Sequence, residues 1–134
     1  MTDQKTVPVF DGHNDVLLRL WRSGNASPET LLIEGDTVGH IDLPRAKKGG
    51  LAGGLCAVYV PSPSMDKDAN GDYPTPTEAD ALKATLAMAG LLFRAEKQSK
   101  GALKVCLTTA NIRKAMAEGA FASVFHIEGA EAIG

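Results

Sequence analysis

Apolar residues along this chain gather in four short runs: Val7–Phe10, Leu55–Val60, Leu103–Leu107 and about Ala122–Ile127. Such nearly continuous runs suit strands covered on both faces. Between them the apolar positions recur at helical spacing. Val16-Leu17-Leu18-Arg19-Leu20-Trp21-Arg22 reads as an amphipathic helix stopped by Gly24, with Asn25–Pro28 as loop. Thr30–Val38 is ambiguous between the two patterns. Asp42-Leu43-Pro44 opens a short helix that ends on Gly49-Gly50. A loop from Pro61 to Pro74 is rich in Pro, Ser, Asp, Asn and Gly. Thr75-Pro76-Thr77-Glu78 then reads as a capping box with proline at the first helical position. It opens the longest helix, to about Lys100, with Leu82, Leu86, Ala89 and Phe93 aligned on one face. Gly101 ends it. Thr108 or Thr109 caps a last helix that buries Ile112, Ala115 and Met116 and stops at Gly119. Strands alternating with helices at this spacing predict parallel strands joined by crossovers, an α/β fold.

Composition narrows the function classes. The 134 residues suffice for one ordinary domain with a real core. With 44% hydrophobic and 22% charged residues, the chain belongs among globular proteins. Its 14 basic and 16 acidic residues are well mixed, giving a net charge of −2. That balance offers no field for nucleic acid or an anionic membrane, and Arg45-Ala46-Lys47-Lys48 reads as a solvated helix end. The opening Met1–Lys5 is polar, and no run approaches the roughly 18 residues of a membrane span. A cytoplasmic location is the resulting expectation. Cys56 and Cys106 stand apart within apolar runs and read as buried strand thiols.

The chemistry concentrates at strand ends. Asp11-Gly12-His13-Asn14-Asp15 follows the first apolar run. Alternation in an extended strand would bring His13 and Asp15 out on one face, with Asp11 sharing it. Imidazole nitrogen and carboxylate oxygen together suit a zinc-like cation, which takes such ligands at roughly 2.0–2.2 Å. Asp15 also stands directly before a helical run, where it could serve as N-cap, so two roles compete for one carboxylate. Asp11 could form a turn with Gly12, and His13 could be a hydrogen-bonded rim residue. A second acid, Glu128, closes the fourth run. In parallel α/β folds, ligands and catalytic groups collect at the carboxyl ends of strands. Tyr59, with Pro61–Pro63 after it, belongs to the same rim, as a substrate contact or as a packed strand residue.

Taken together, Val9-Phe10-Asp11-Gly12-His13-Asn14-Asp15 with Arg19-Leu20 resembles the opening motif of the zinc-dependent membrane (renal-type) dipeptidase family, peptidase family M19. Three further stretches agree in order and spacing. These are Asp42-Leu43-Pro44-Arg45 with Gly49-Gly50-Leu51, then Ala57-Val58-Tyr59-Val60-Pro61, and His126-Ile127-Glu128-Gly129. The likeness runs from residue 7 to residue 134. His-x-Asp makes it specific, since related amidohydrolases usually open with His-x-His. The resemblance implies the N-terminal half of a (β/α)8 TIM-like barrel of the metallo-dependent hydrolase type. It implies a binuclear zinc site in which His13 and Asp15 bind one Zn2+ and Glu128 bridges two. The implied reaction is hydrolysis of dipeptides, including those with a C-terminal D-residue, by a metal-bridging hydroxide, with Glu128 as the catalytic carboxylate. Tyr59 becomes a substrate-binding candidate and Asp11 a partner standing behind the ligands.

Two departures accompany the likeness. Ala130-Glu131 stands where some members carry Gly-His, and His126 shares the strand face of Glu128 as a metal neighbour or a core histidine. The chain is also short, since a complete barrel needs on the order of 200–250 residues. The family's histidines for the second zinc come later in sequence, and here the only histidines are His13, His40 and His126, with His40 expected on the surface. The chain as given therefore reads as part of one barrel domain with open sheet edges. It calls for a complementing C-terminal half, and a homo-oligomer is the other assembly left open. A non-catalytic half-barrel binding one metal or a partner chain is the rival reading. So is a sibling amidohydrolase acting on N-acyl amino acids.

Overall fold

In the computed structural model the described residues are 7–134, so the polar opening over residues 1–5 lies outside them. The chain folds as β1 (Val9–Asn14), α1 (Val16–Arg22), α2 (Glu29–Ile33), α3 (Leu43–Gly49), β2 (Leu51–Tyr59), α4 (Glu78–Gln98), β3 (Leu103–Val105), α5 (Thr109–Ala117) and β4 (Phe121–Glu128). All the strand pairings are parallel, and the sheet order is β1-β2-β4-β3. The alternating pattern therefore yields the α/β class it predicts. β4, rather than β3, is the neighbour of β2.

Local chemistry explains the helix ends. Asp42 caps α3 by accepting the Arg45 amide at 2.8 Å, and Gly50 closes it at φ 77°. The start of α4 falls later than the proline-first capping box suggests. Thr77 is its N-cap and accepts the Asp80 amide at 3.2 Å, leaving Pro76 outside the helix. The Asp80 carboxylate in turn accepts the Thr77 hydroxyl at 2.7 Å.

Register assigns each strand residue to a face. Cys56, Val58, Phe121 and Phe125 look toward the main core, where Leu17, Leu20, Leu32, Met88, Leu92 and Leu103 are fully buried between the sheet and α1, α2 and α4. On β4 the alternate residues Ala122 and Val124 meet Ile112, Ala115 and Met116 around α5. The same alternation carries that second face onward to His126 and Glu128. Gly53 sits where strands approach closely, since a Cβ there would lie 2.4 Å from the Ala122 carbonyl oxygen.

The face presented by α4 differs from the stripe that its spacing marks. Leu82, Leu86 and Phe93 are exposed, while Ala81, Ala84, Met88, Leu91, Leu92 and Ala95 are buried. Two apolar stripes compete on this helix. The one with more alanine lets its backbone come nearer to its neighbours, and that stripe faces inward. The third apolar run is also cut short. β3 ends at Val105 and Leu107 is 85% exposed. Cys56 and Cys106 are free and buried as expected, but only Cys56 lies within a strand, Cys106 falling just past the end of β3.

Candidate metal centre

β1 runs further than its apolar residues do, carrying the polar motif within the strand. Opposite β2 it takes three steps, Asp11 to Asn14, where β2 takes two, Gly54 to Cys56. This β-bulge inserts an extra residue and reverses the alternation. Asp11 and Asn14 consequently turn toward the core face beside Gly54 and Cys56, and His13 turns toward the face of Glu128. The expectation that Asp11 shares a face with His13 fails for this reason. The Asp11 carboxylate instead accepts the Asn14 amide at 3.0 Å.

His13, Asp15 and Glu128 converge as strand-end chemistry predicts. Nε2 of His13 lies 3.4 Å from Oδ1 of Asp15 and 3.2 Å from Oε2 of Glu128. One ligand atom from each of the three lies within 4.8 Å of the other two. The side chains are 42%, 57% and 44% exposed, so water and a substrate can reach them. Two carboxylates aimed at one imidazole nitrogen concentrate negative charge, which a cation would offset. The donor set of one nitrogen and two carboxylate groups fits zinc. Asp15 occupies the N-cap position of α1 yet makes no side-chain capping bond. Its carboxylate lies against His13 instead.

Other rim residues fall into place around these. Tyr59 is the register partner of Glu128 and is 38% exposed. The His126 ring meets the His13 ring edge-to-face, with centroids 5.6 Å apart. His40 is exposed as expected, and it also borders a hollow of about 530 Å³ shared with Asp11, His13, Asp15 and Arg19. The loop bearing His40 is tied to α1. Arg19 forms an ion pair with Asp36 and donates to the Ile41 carbonyl at 2.9 Å. The Gly39 and Val38 amides hold the Asp36 carboxyl below the usual carboxylate range, and Arg19 adds to this. Sequence reasoning missed Asn14 and Asp36. Neither lies in an apolar pattern, and each is recognisable only by the tertiary bonds it makes.

Comparison with known proteins places this geometry in context. The family model described as membrane dipeptidase, peptidase family M19, matches residues 3–134. The structure is similar to a crystal structure of the metallopeptidase dipeptidase AC of family M19. The TM-score is 0.86 and the identity 48%, over 97% of this chain and 37% of that one. It is also similar to a metallopeptidase from Rhodobacter sphaeroides liganded with a phosphinate mimic of the dipeptide L-Ala-D-Ala. There the TM-score is 0.85 and the identity 45%, over 96% of this chain and 40% of that one. An uncharacterized protein from the PQQ-III 3′ region of Acinetobacter calcoaceticus is 35% identical over 95% of this chain and 42% of its own length. The chain thus spans about 40% of the length of these relatives. Matched over nearly its whole length, and carrying the His13, Asp15 and Glu128 cluster at the ends of β1 and β4, the chain belongs to the membrane dipeptidase family, peptidase family M19.

Proposed function

We propose that this chain supplies part of the active site of a zinc-dependent dipeptidase. The convergence of His13, Asp15 and Glu128 within 4.8 Å carries the reading. In it, His13 and Asp15 would hold one zinc, and Glu128 would be shared between that zinc and a second. Bound zinc would supply Lewis-acid polarisation of a carbonyl and acidification of water. The chain's own residues do the rest. The bulge in β1 aims His13, and Glu128 holds the β4 end of the site opposite it. Tyr59, level with Glu128, offers a hydroxyl and an apolar ring at the rim to a short peptide. Substrates with a C-terminal D-residue are part of the proposal, supported by the L-Ala-D-Ala mimic bound to the related Rhodobacter sphaeroides enzyme.

The test uses the full-length protein, with zinc counted by elemental analysis alongside a panel of L,L-dipeptides, L,D-dipeptides and N-acyl amino acids. Two zincs per chain and turnover of dipeptides are expected. Turnover confined to N-acyl amino acids would replace the substrate class. Absence of both zinc and turnover would overturn the reading.

A further inference from the structure

We infer that Asn14 is a positioning residue for the metal ligands, acting through a clamp with Asp11 on the far side of the bulge. The inference rests on the zinc reading of His13 and Asp15 and deepens it. Asn14 is 8% exposed although it lies between two half-exposed ligands. Its amide nitrogen donates to Asp11 Oδ2 at 3.0 Å, and its amide oxygen accepts the Val16 backbone amide at 3.4 Å.

These two bonds perform separate tasks. The bond to Asp11 joins the residues on either side of Gly12-His13, so it fixes the extra residue of the bulge. Strict alternation would put His13 on the face of Asp11; the bulge puts it opposite Glu128. The bond to Val16 satisfies the first amide of α1, one of the four that have no partner within the helix. Asp15 stands at the N-cap position and makes no such bond. Asn14 thus ties the bulge to the first residue of α1, on either side of Asp15, whose Oδ1 lies 3.4 Å from His13 Nε2. The fit around the clamp is close, since a Cβ on Gly54 would lie 3.0 Å from Asp11 Cβ and 3.1 Å from Asn14 Nδ2.

The experiment measures Zn2+ affinity of the full-length protein by competition with a chromophoric chelator, for Asp11→Ala, Asp11→Asn and Asn14→Ala. Partners behind metal ligands typically matter by about 10–100-fold in affinity. Asp11→Ala and Asn14→Ala are expected to weaken zinc binding by at least about tenfold on that scale. Asp11→Asn keeps an acceptor for the Asn14 amide and is expected to stay close to wild type. A purely structural role would lower Tm in all folded variants without ordering their affinities this way. Wild-type zinc affinity in both alanine variants would overturn the inference. If Asn14→Ala does not fold, the contrast between Asp11→Ala and Asp11→Asn decides alone. Asp15→Asn separates the two readings. Zinc lost in that variant but retained in both alanine variants sinks only the clamp. Zinc unaffected in Asp15→Asn sinks the metal reading itself.

Discussion

Nε2 of His13 sits 3.2 Å from Oε2 of Glu128, so a residue of the first strand and one of the last meet across the end of β2. Exchanging Glu128 for glutamine keeps the shape but removes the charge. In the full-length protein Glu128→Gln should abolish dipeptide hydrolysis while shifting metal-free stability by no more than about 0.5 kcal/mol. Near-normal turnover in that variant would take Glu128 out of the site.

Metal and stability should be linked. A cation that binds only the folded state adds about 2.7 kcal/mol when present at a hundredfold its Kd. Thermal unfolding of the full-length protein should therefore move upward with added Zn2+ and fall back with a chelator. His13→Ala should lower the zinc count and blunt that response. An unchanged count would return His13 to a structural role.

Acid should unfold the chain through two buried carboxylates. Burial pushes the Glu29 carboxyl upward, but its own backbone amide, Gln98 and Arg94 outweigh this and hold it below the usual range. Burial likewise pushes Asp42 up, and the backbone amide and guanidinium of Arg45 overcome it. A carboxyl whose folded pKa lies below its unfolded one stabilises above the unfolded value, about 4. That contribution fades as pH falls through the folded value. Stability should thus drop below about pH 4. Glu29→Gln should flatten this acid limb and cost about 1.5–3 kcal/mol at neutral pH, the scale of hydrogen bonds to charged groups. An acid limb as steep as wild type would exclude Glu29 as a contributor.

The two faces of α4 should answer differently to substitution. Met88 is wholly buried, and Met88→Ala should cost about 2–5 kcal/mol in denaturant unfolding. Leu86 is 62% exposed, and Leu86→Lys in this chain should change stability by less than about 0.5 kcal/mol. Equal costs would reverse the assignment of faces.

That helix also shows where sequence reading reaches its limit. Spacing alone gave Leu82, Leu86, Ala89 and Phe93 as well as any rival stripe, and only packing against α1 and α2 chooses Ala81, Ala84, Met88 and Leu92. Elements punctuated by their own side chains were legible. α1 spans Val16–Arg22 as its pattern predicts, and Asp42 with Gly50 brackets α3. β2 begins earlier than its apolar run because Gly53 and Gly54, poor strand formers, are required there by close neighbours. The grouping of His13 and Asp15 was also legible, but its route was not. Alternation places Asp11 beside them, whereas the bulge, a pairing feature between strands, sends Asp11 to the opposite face.

β3 pairs with β4 only along Phe121–Ser123, so among the described residues the outer edge of Val124–Glu128 has no strand beside it. Any strand laid along that edge would be indexed to β4 in steps of about 3.3 Å, with every second side chain directed to the face of His126 and Glu128. A slip of one residue would present the opposite set. The free edge therefore acts as a ruler. Backbone register would then decide which side chains of a pairing strand come out beside His13 and Glu128.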